Sequence, residues 1–135
     1  MANELGHLLL RAQRDFEQRL VEGLVQKNHK LTAAQVNVIQ LLDNEGTRLG
    51  TIATRVATTK QAVGQVVDQL EALGLVERGK DEADARARLV KPTKKGAALL
   101  TDAKAISQGI RRDWKKKLGP EKMTALEIAL EAFAD

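Results

Sequence analysis

The chain has no cysteine and no tyrosine, and aromatic residues make up 2% of its 135 positions. Without cysteine there is no disulfide framework, no thiol switch and no Cys-based zinc site. Two histidines, His7 and His29, do not make a His-rich metal cluster, so no metal is expected. Phe16, Trp114 and Phe133 are too few rings to build a stacking platform for single-stranded nucleic acid. No apolar run approaches the roughly 18–20 residues that span a bilayer. Glu4 and Gly6 ahead of the short Leu8–Leu10 run do not form a secretory signal. No Ser-His-Asp set and no phosphate-cradling glycine-rich loop is present. The expectation is a soluble cytoplasmic protein, not an enzyme, with no catalytic residue, no cofactor and no membrane partner.

What remains is 43% hydrophobic and 30% charged, which suits one globular domain over 1–135. The formal net charge is +4. Between Lys80 and Gly96, six basic residues (Lys80, Arg86, Arg88, Lys91, Lys94, Lys95) face three acids (Asp81, Glu82, Asp84). That stretch alone carries +3, by six minus three. An anionic partner is expected to sit there.

Leu5, Leu8, Leu9, Ala12, Phe16, Leu20 and Leu24 recur at helical spacing and need a covering surface from elsewhere in the chain or from a second copy. Thr32-x-x-Gln35 reads as a capping box with Leu31 and Val36 as a hydrophobic staple, and the helix it opens is expected to end at Asn44-Glu45-Gly46. A short helix follows over about Leu49–Val56. Ala57-Thr58-Thr59 breaks it, and Thr58 or Thr59 caps a further helix running to about Leu73. Its apolar stripe is Val63, Val66, Val67, Leu70 and Leu73. At 100° per residue the opposite face carries Gln61, Gln65, Asp68 and Ala72, with Gly64 on its flank. Two short helices joined by a tight turn read as a helix-turn-helix.

Leu75–Arg78 and Arg86–Lys91 then read as strands around a hairpin tip at Gly79–Ala85. Thr93 caps a long helix, and Gly119-Pro120 opens a last one bearing Met123, Leu126, Leu130 and Phe133. The expected fold is mainly α with a small two- or three-stranded β wing: a winged helix-turn-helix lobe over about 31–92, with dimerisation helices over about 4–28 and 94–135.

Over nearly the whole chain, from Leu5 to Phe133 and most densely from Leu31 to Gly96, the sequence resembles the MarR family (multiple antibiotic resistance regulators). The resemblance is carried by Leu31-Thr32-x-x-Gln35, Ile52-Ala53 and Lys60-Gln61-Ala62-Val63. It continues through Leu70-Glu71-x-x-Gly74-Leu75-Val76-Glu77-Arg78, Asp84-x-Arg86-Ala87 and Thr93-x-x-Gly96. The resemblance implies a homodimeric transcription regulator with intertwined first, fifth and sixth helices. It also implies a small anionic or phenolic effector bound between the dimer helices and the DNA-binding lobe. Departures from the family pattern are Gly64-Gln65 in the recognition helix, Ala85 in the wing and Pro92 before the threonine.

On this reading Gln61 and Gln65 face base edges, since a glutamine can pair with adenine in the major groove. Gly64 lets the helix come close. Thr58, Thr59 and Lys60 hold phosphate at the helix N-terminus. Arg86 enters the minor groove, with Asp84 holding its side chain, and Lys80 and Arg88 add backbone contacts. Asp68 would repel phosphate and is assigned to a neighbouring cation. His7, Arg11 and Arg14 on the first helix are the candidate effector residues. A two-fold dimer predicts double-stranded DNA with a pseudo-palindromic operator, most simply under repression. The competing reading is a winged-helix protein-interaction module that has lost specific DNA binding, for which Gly64, Ala85 and Asp68 give the motive.

Overall fold

The computed structural model describes residues 4–134; the first three residues and Asp135, which the 1–135 span includes, lie outside the described residues. The elements run α1 (Leu5–Gln26), α2 (Ala33–Gln40), β1 (Thr47–Arg48), α3 (Leu49–Val56) and α4 (Lys60–Ala72). They continue with β2 (Val76–Lys80), β3 (Arg88–Pro92), α5 (Lys94–Leu118) and α6 (Pro120–Glu131). Six helices and one small sheet make a winged helix-turn-helix between long terminal helices.

The helix starts follow the local chemistry of the chain. The Thr32 hydroxyl accepts from Gln35 N, and the Gln35 side chain accepts from Thr32 N, closing the capping box on α2. Thr59 accepts from Ala62 N at the start of α4, which settles the choice between Thr58 and Thr59. Thr93 does the same for Gly96 N at the start of α5, and Pro120 opens α6. The turn between α3 and α4 passes through Ala57 at φ 60° and ψ 50°, a left-handed conformation that costs a residue with a Cβ.

The end of the second helix and the bounds of the wing strands differ from the sequence expectation. The second helix stops at Gln40 rather than at residues 44–46, because Arg55 Nη1 donates to Leu41 O and Asp43 N donates to the Thr47 hydroxyl. Those bonds give the backbone after Gln40 partners outside a helix. The wing strands begin and end one or two residues later than read, so the tip is residues 81–87 rather than Gly79–Ala85. The sheet has three strands in the order β1-β3-β2, all neighbours antiparallel.

One apolar cluster joins the elements. Leu24 of α1, Ile39 of α2, Ile52 of α3, Leu70 of α4 and Leu99 of α5 are all fully buried in it, with Val76 and Val90 from the sheet. Burying side chains of that size contributes about 1.5–3 kcal/mol each. The lobe is joined to α5 by close contact. A Cβ on Gly96 would sit 2.0 Å from Leu75 O, and Thr93 Oγ1 donates to Gly74 O at 2.6 Å. Lys95 Nζ donates to Leu73 O at 2.9 Å, so the carbonyl that ends α4 rests on the start of α5. His29 Nε2 pairs with Asp102 Oδ2 at 2.8 Å, tying the α1–α2 turn to the same helix.

Candidate nucleic-acid interface

The outer face of α4 carries Gln61, Gln65 and Asp68, all exposed, above the buried stripe of Val63, Val67 and Leu70. Gly64 lies between them, and a Cβ built on it would meet nothing within 4 Å. Packing within the chain therefore does not require glycine there. Asp68 does not stand as a free negative charge on this face. Arg78 from β2 donates to Asp68 Oδ1 and to Glu71 Oε1, each at 2.8 Å, which fixes α4 against the sheet.

Beside the N-terminus of α4 lies an open groove. It is walled by β1 and α3 on one side and by the wing on the other, and Arg48, Arg55, Lys60, Arg86 and Arg88 line it with Asp84. Of the residues singled out from sequence, Lys60, Asp84, Arg86 and Arg88 are brought together here. Thr58 and Thr59 lie at the adjoining turn, exposed, the Thr59 hydroxyl already capping α4. Lys80 ends β2 directly across from Arg88 in β3. Like charges placed opposite each other on a ladder repel, and an anion laid against the strand pair relieves that repulsion.

The Asp84 side chain is not placed as expected. Its Oδ1 accepts from the Arg86 backbone N at 3.0 Å, so it shapes the turn rather than gripping the guanidinium. An Asx-type contact of this kind is local and needs only two residues of spacing. Arg86 is exposed at the tip of the wing.

Arg48 and Arg55 were not singled out from sequence. Arg55 is exposed and donates to Leu41 O at 2.8 Å and to Asp43 Oδ2 at 3.2 Å. Arg48 pairs with Asp81, a buried acid whose neighbours in sequence suggested a solvated hairpin. The Ala83 N–H and the Arg48 guanidinium hold the Asp81 carboxyl below the usual carboxylate range. The one available signal was two arginines flanking the short third helix; their convergence depends on a two-residue strand that periodicity cannot reveal.

The candidate effector residues do not converge. Arg11 lines a depression with Leu8, Asp15 and Trp114 near the end of α5. Arg14 lies in a separate, shallow cleft between α1 and α2 with Glu17, Glu22 and Ala33. His7 is exposed on the first turns of α1. Two glutamates beside Arg14 oppose an anion in that cleft.

A family model described as MarR family matches residues 29–87. The transcriptional repressor CouR, in a structure bound to a 23-mer DNA duplex, is 30% identical to the chain. That match covers 99% of this chain and 94% of that one with a TM-score of 0.80. The chain belongs to the MarR family. CouR from Rhodococcus jostii RHA1 bound to p-coumaroyl-CoA superposes with a TM-score of 0.82 at 24% identity, over 98% of this chain and 93% of that one. A mutant MarR from E. coli complexed with operator DNA is 25% identical, with a TM-score of 0.79 over 97% and 94% of the two chains. No curated protein sequence matches the chain. MarR-family members are generally transcription regulators and not enzymes, and no helix among the described residues of this one is long and apolar enough to cross a membrane.

Proposed function

We propose that this MarR-family chain is a homodimeric winged-helix repressor that binds a pseudo-palindromic double-stranded operator and is released by a small anionic or phenolic effector. The observation that carries the DNA-binding reading is the continuity of α4 with the basic groove. Lys60, the first residue of α4, lines the groove with Arg48, Arg55, Arg86 and Arg88, and Gln61 and Gln65 are exposed on the same helix just beyond it. A helix in the major groove reads base edges while the flanking cations follow the phosphates. Arg86 at the wing tip suits the negative potential of a narrow minor groove. Thr58, Thr59, Lys80 and Arg88 serve the backbone.

The elements within 31–92 form the DNA-binding lobe, and those within 4–28 and 94–135 form the dimer. Support for dimerisation comes from where apolar surface is left uncovered. Leu5, Leu8, Leu9 and Leu10 on α1 and Ile128, Leu130 and Phe133 around α6 are between 47% and 86% exposed. A monomer rarely leaves that much contiguous apolar surface wet. Between these faces Leu9, Phe16, Trp114, Met123 and Leu126 line an apolar groove that a second copy's terminal helix fits. Two-fold symmetry then sets half-sites about 10 bp apart.

Effector release rests on the complexes that the relatives form; His7, Arg11 and Arg14 line no common cavity in one chain, so an effector site built on them draws on the partner subunit. The protein acts by binding and not by turnover, in the cytoplasm at the nucleoid. Selection of bound duplexes from a random pool, followed by mobility shift against a scrambled duplex at physiological salt, tests the reading. A two-fold symmetric preferred sequence supports it. Equal affinity for selected and scrambled duplex leaves the protein-interaction module as the better account.

A further inference from the structure

The pairing of Arg48 with Asp81 has a role at the wing. Gly46 has φ +113°, and a Cβ on it would lie 2.8 Å from Leu89 Cβ. Only a glycine lets the chain come this close to β3 in this conformation. Thr47, buried, takes the Asp43 N–H on its hydroxyl and pairs with Val90, which puts Arg48 opposite Leu89. From there the Arg48 side chain reaches the wing loop, with Nε at 2.6 Å and Nη2 at 2.5 Å from Asp81 Oδ2. Nε donates to this oxygen and Nη2 lies against it, a charge-assisted contact to a buried acid.

Asp81 in turn organises the loop up to Arg86. Its Oδ1 accepts from Ala83 N at 2.9 Å and its carbonyl from Asp84 N at 3.3 Å. Asp84 then accepts from Arg86 N through Oδ1 and from Ala87 N through its carbonyl, each at 3.0 Å. An unbroken series of hydrogen bonds therefore leads from Arg48 on β1 to the backbone of Arg86. The loop has no apolar anchor of its own: Glu82, Ala83, Asp84, Ala85 and Arg86 are all exposed.

We infer that Arg48 and Asp81 form a clamp that positions Arg86 for the minor groove, so that a buried acid in a DNA-binding wing strengthens binding instead of opposing it. The inference rests on the DNA-binding reading above and adds positioning residues to it. It makes a prediction of opposite sign to simple electrostatics. Removing a negative charge beside DNA strengthens binding if the charge acts only through its field. Asp81→Asn keeps an acceptor for Ala83 N but gives up the ion pair, and the clamp predicts weaker binding.

The test uses the full-length dimer and the duplex selected above. Asp81→Asn is expected to weaken binding about tenfold and to reduce the preference for AT-rich sequence under the wing. In an Arg86→Ala background the same substitution is expected to have no weakening effect, because the residue being positioned is gone. Arg48→Lys keeps the charge of the groove and loses the guanidinium. It is expected to reduce the AT preference while the slope of affinity against salt stays as in the wild type. It also serves as the independent variant if Asp81→Asn does not fold. Binding by Asp81→Asn equal to or tighter than wild type, or an equal loss with and without Arg86, overturns the clamp; so does an unaltered AT preference in Arg48→Lys. Failure of the wild-type protein to prefer its selected duplex overturns the underlying reading, and the clamp falls with it.

Discussion

The DNA-binding lobe and the terminal helices solve the burial problem in different ways. In the lobe, Val36, Ile39, Ile52, Val63, Val67, Leu70, Val76 and Val90 are all buried, in a core that Leu24 of α1 and Leu99 of α5 help to close. The terminal helices bury little beyond their crossing. Leu20 and Leu24 of α1 and Leu99, Ala103 and Ile110 of α5 are covered, but α6 contributes only Met123 among its described residues. Phe133 is 86% exposed and Leu5 72%. The lesson is that the lobe buries its apolar side chains within the chain, whereas the start of α1 and the end of α6 leave theirs exposed. The same division separates polar recognition from assembly.

The largest expected effect is that of salt on the lobe's function. If a dimer neutralises about six phosphates, affinity falls by roughly 10³ between 50 and 200 mM salt. The proposed dimer, if apolar surface holds it, is expected to stay together over the same range when followed by sedimentation. A shallow salt dependence of binding, or dissociation of the dimer by salt, breaks the distinction between the halves.

Next comes a charge placed among the terminal helices. Leu9→Asp puts a carboxylate in the apolar groove shared by α1, α5 and α6. Desolvating that charge is costly, so the protein is expected to sediment as one chain at micromolar concentration and to bind the intact operator at least about a hundredfold more weakly. Leu9 is 51% exposed in the single chain, so the lobe should keep its fold and its melting transition. A Leu9→Asp protein that remains two chains shows that this face is not the interface.

How much of this was legible in the sequence follows the same line. Local chemistry marked the caps at Thr32 and Thr93, narrowed that of α4 to Thr58 or Thr59, and marked the proline at the start of α6, because each depends on residues within one turn. Helical periodicity marked the recognition face. The two-residue β1 had no periodic signal, and with it the third strand's identity, the Arg48–Asp81 pair and the early stop of α2 were hidden. Asp84 was assigned to the Arg86 side chain on the family resemblance, and a resemblance in sequence does not distinguish a backbone N–H from a guanidinium as the partner. The candidate effector residues failed to gather because three positions on one helix need a second surface to face.

A third test probes the joint between the halves. Gly96→Ala forces a Cβ into Leu75 O, near where the carbonyl that ends α4 rests on α5. Overpacking of this kind costs about 1–3 kcal/mol, read as a lower melting temperature. A lobe that melts separately from the terminal helices in this variant would show that Gly96 couples the two; an unchanged transition would show that the backbone gives way at no cost. Gln65→Ala, on the recognition face, is expected to cost about 1–3 kcal/mol at one base position and nothing in thermal stability. A loss spread evenly across all duplex sequences would mean that Gln65 meets only the backbone.

The smallest effect is expected from acid, and it compares one carboxylate from each half. In the terminal helices Arg111 donates to Glu127 at 2.8 and 2.6 Å, and that hydrogen bond holds the Glu127 carboxyl below its ordinary range. In the lobe the Ala83 N–H and Arg48 do the same for Asp81. A carboxylate whose folded pKa is lowered stabilises the protein fully above its unfolded pKa, and the contribution disappears as pH falls through the lowered folded value. Neither pair should therefore respond between neutral pH and the ordinary carboxylate range. Below it both weaken, but they differ in salt. The Arg111–Glu127 pair is exposed on both sides and is screened, whereas the Asp81 carboxylate is buried and also held by a backbone N–H. Acid titrations of Glu127→Gln and Asp81→Asn at low and high salt are expected to separate them. The salt effect on acid stability should be smaller than wild type in the first variant and unchanged in the second; the reverse result would mean that the Asp81 pair, not the Glu127 pair, carries the screened charge.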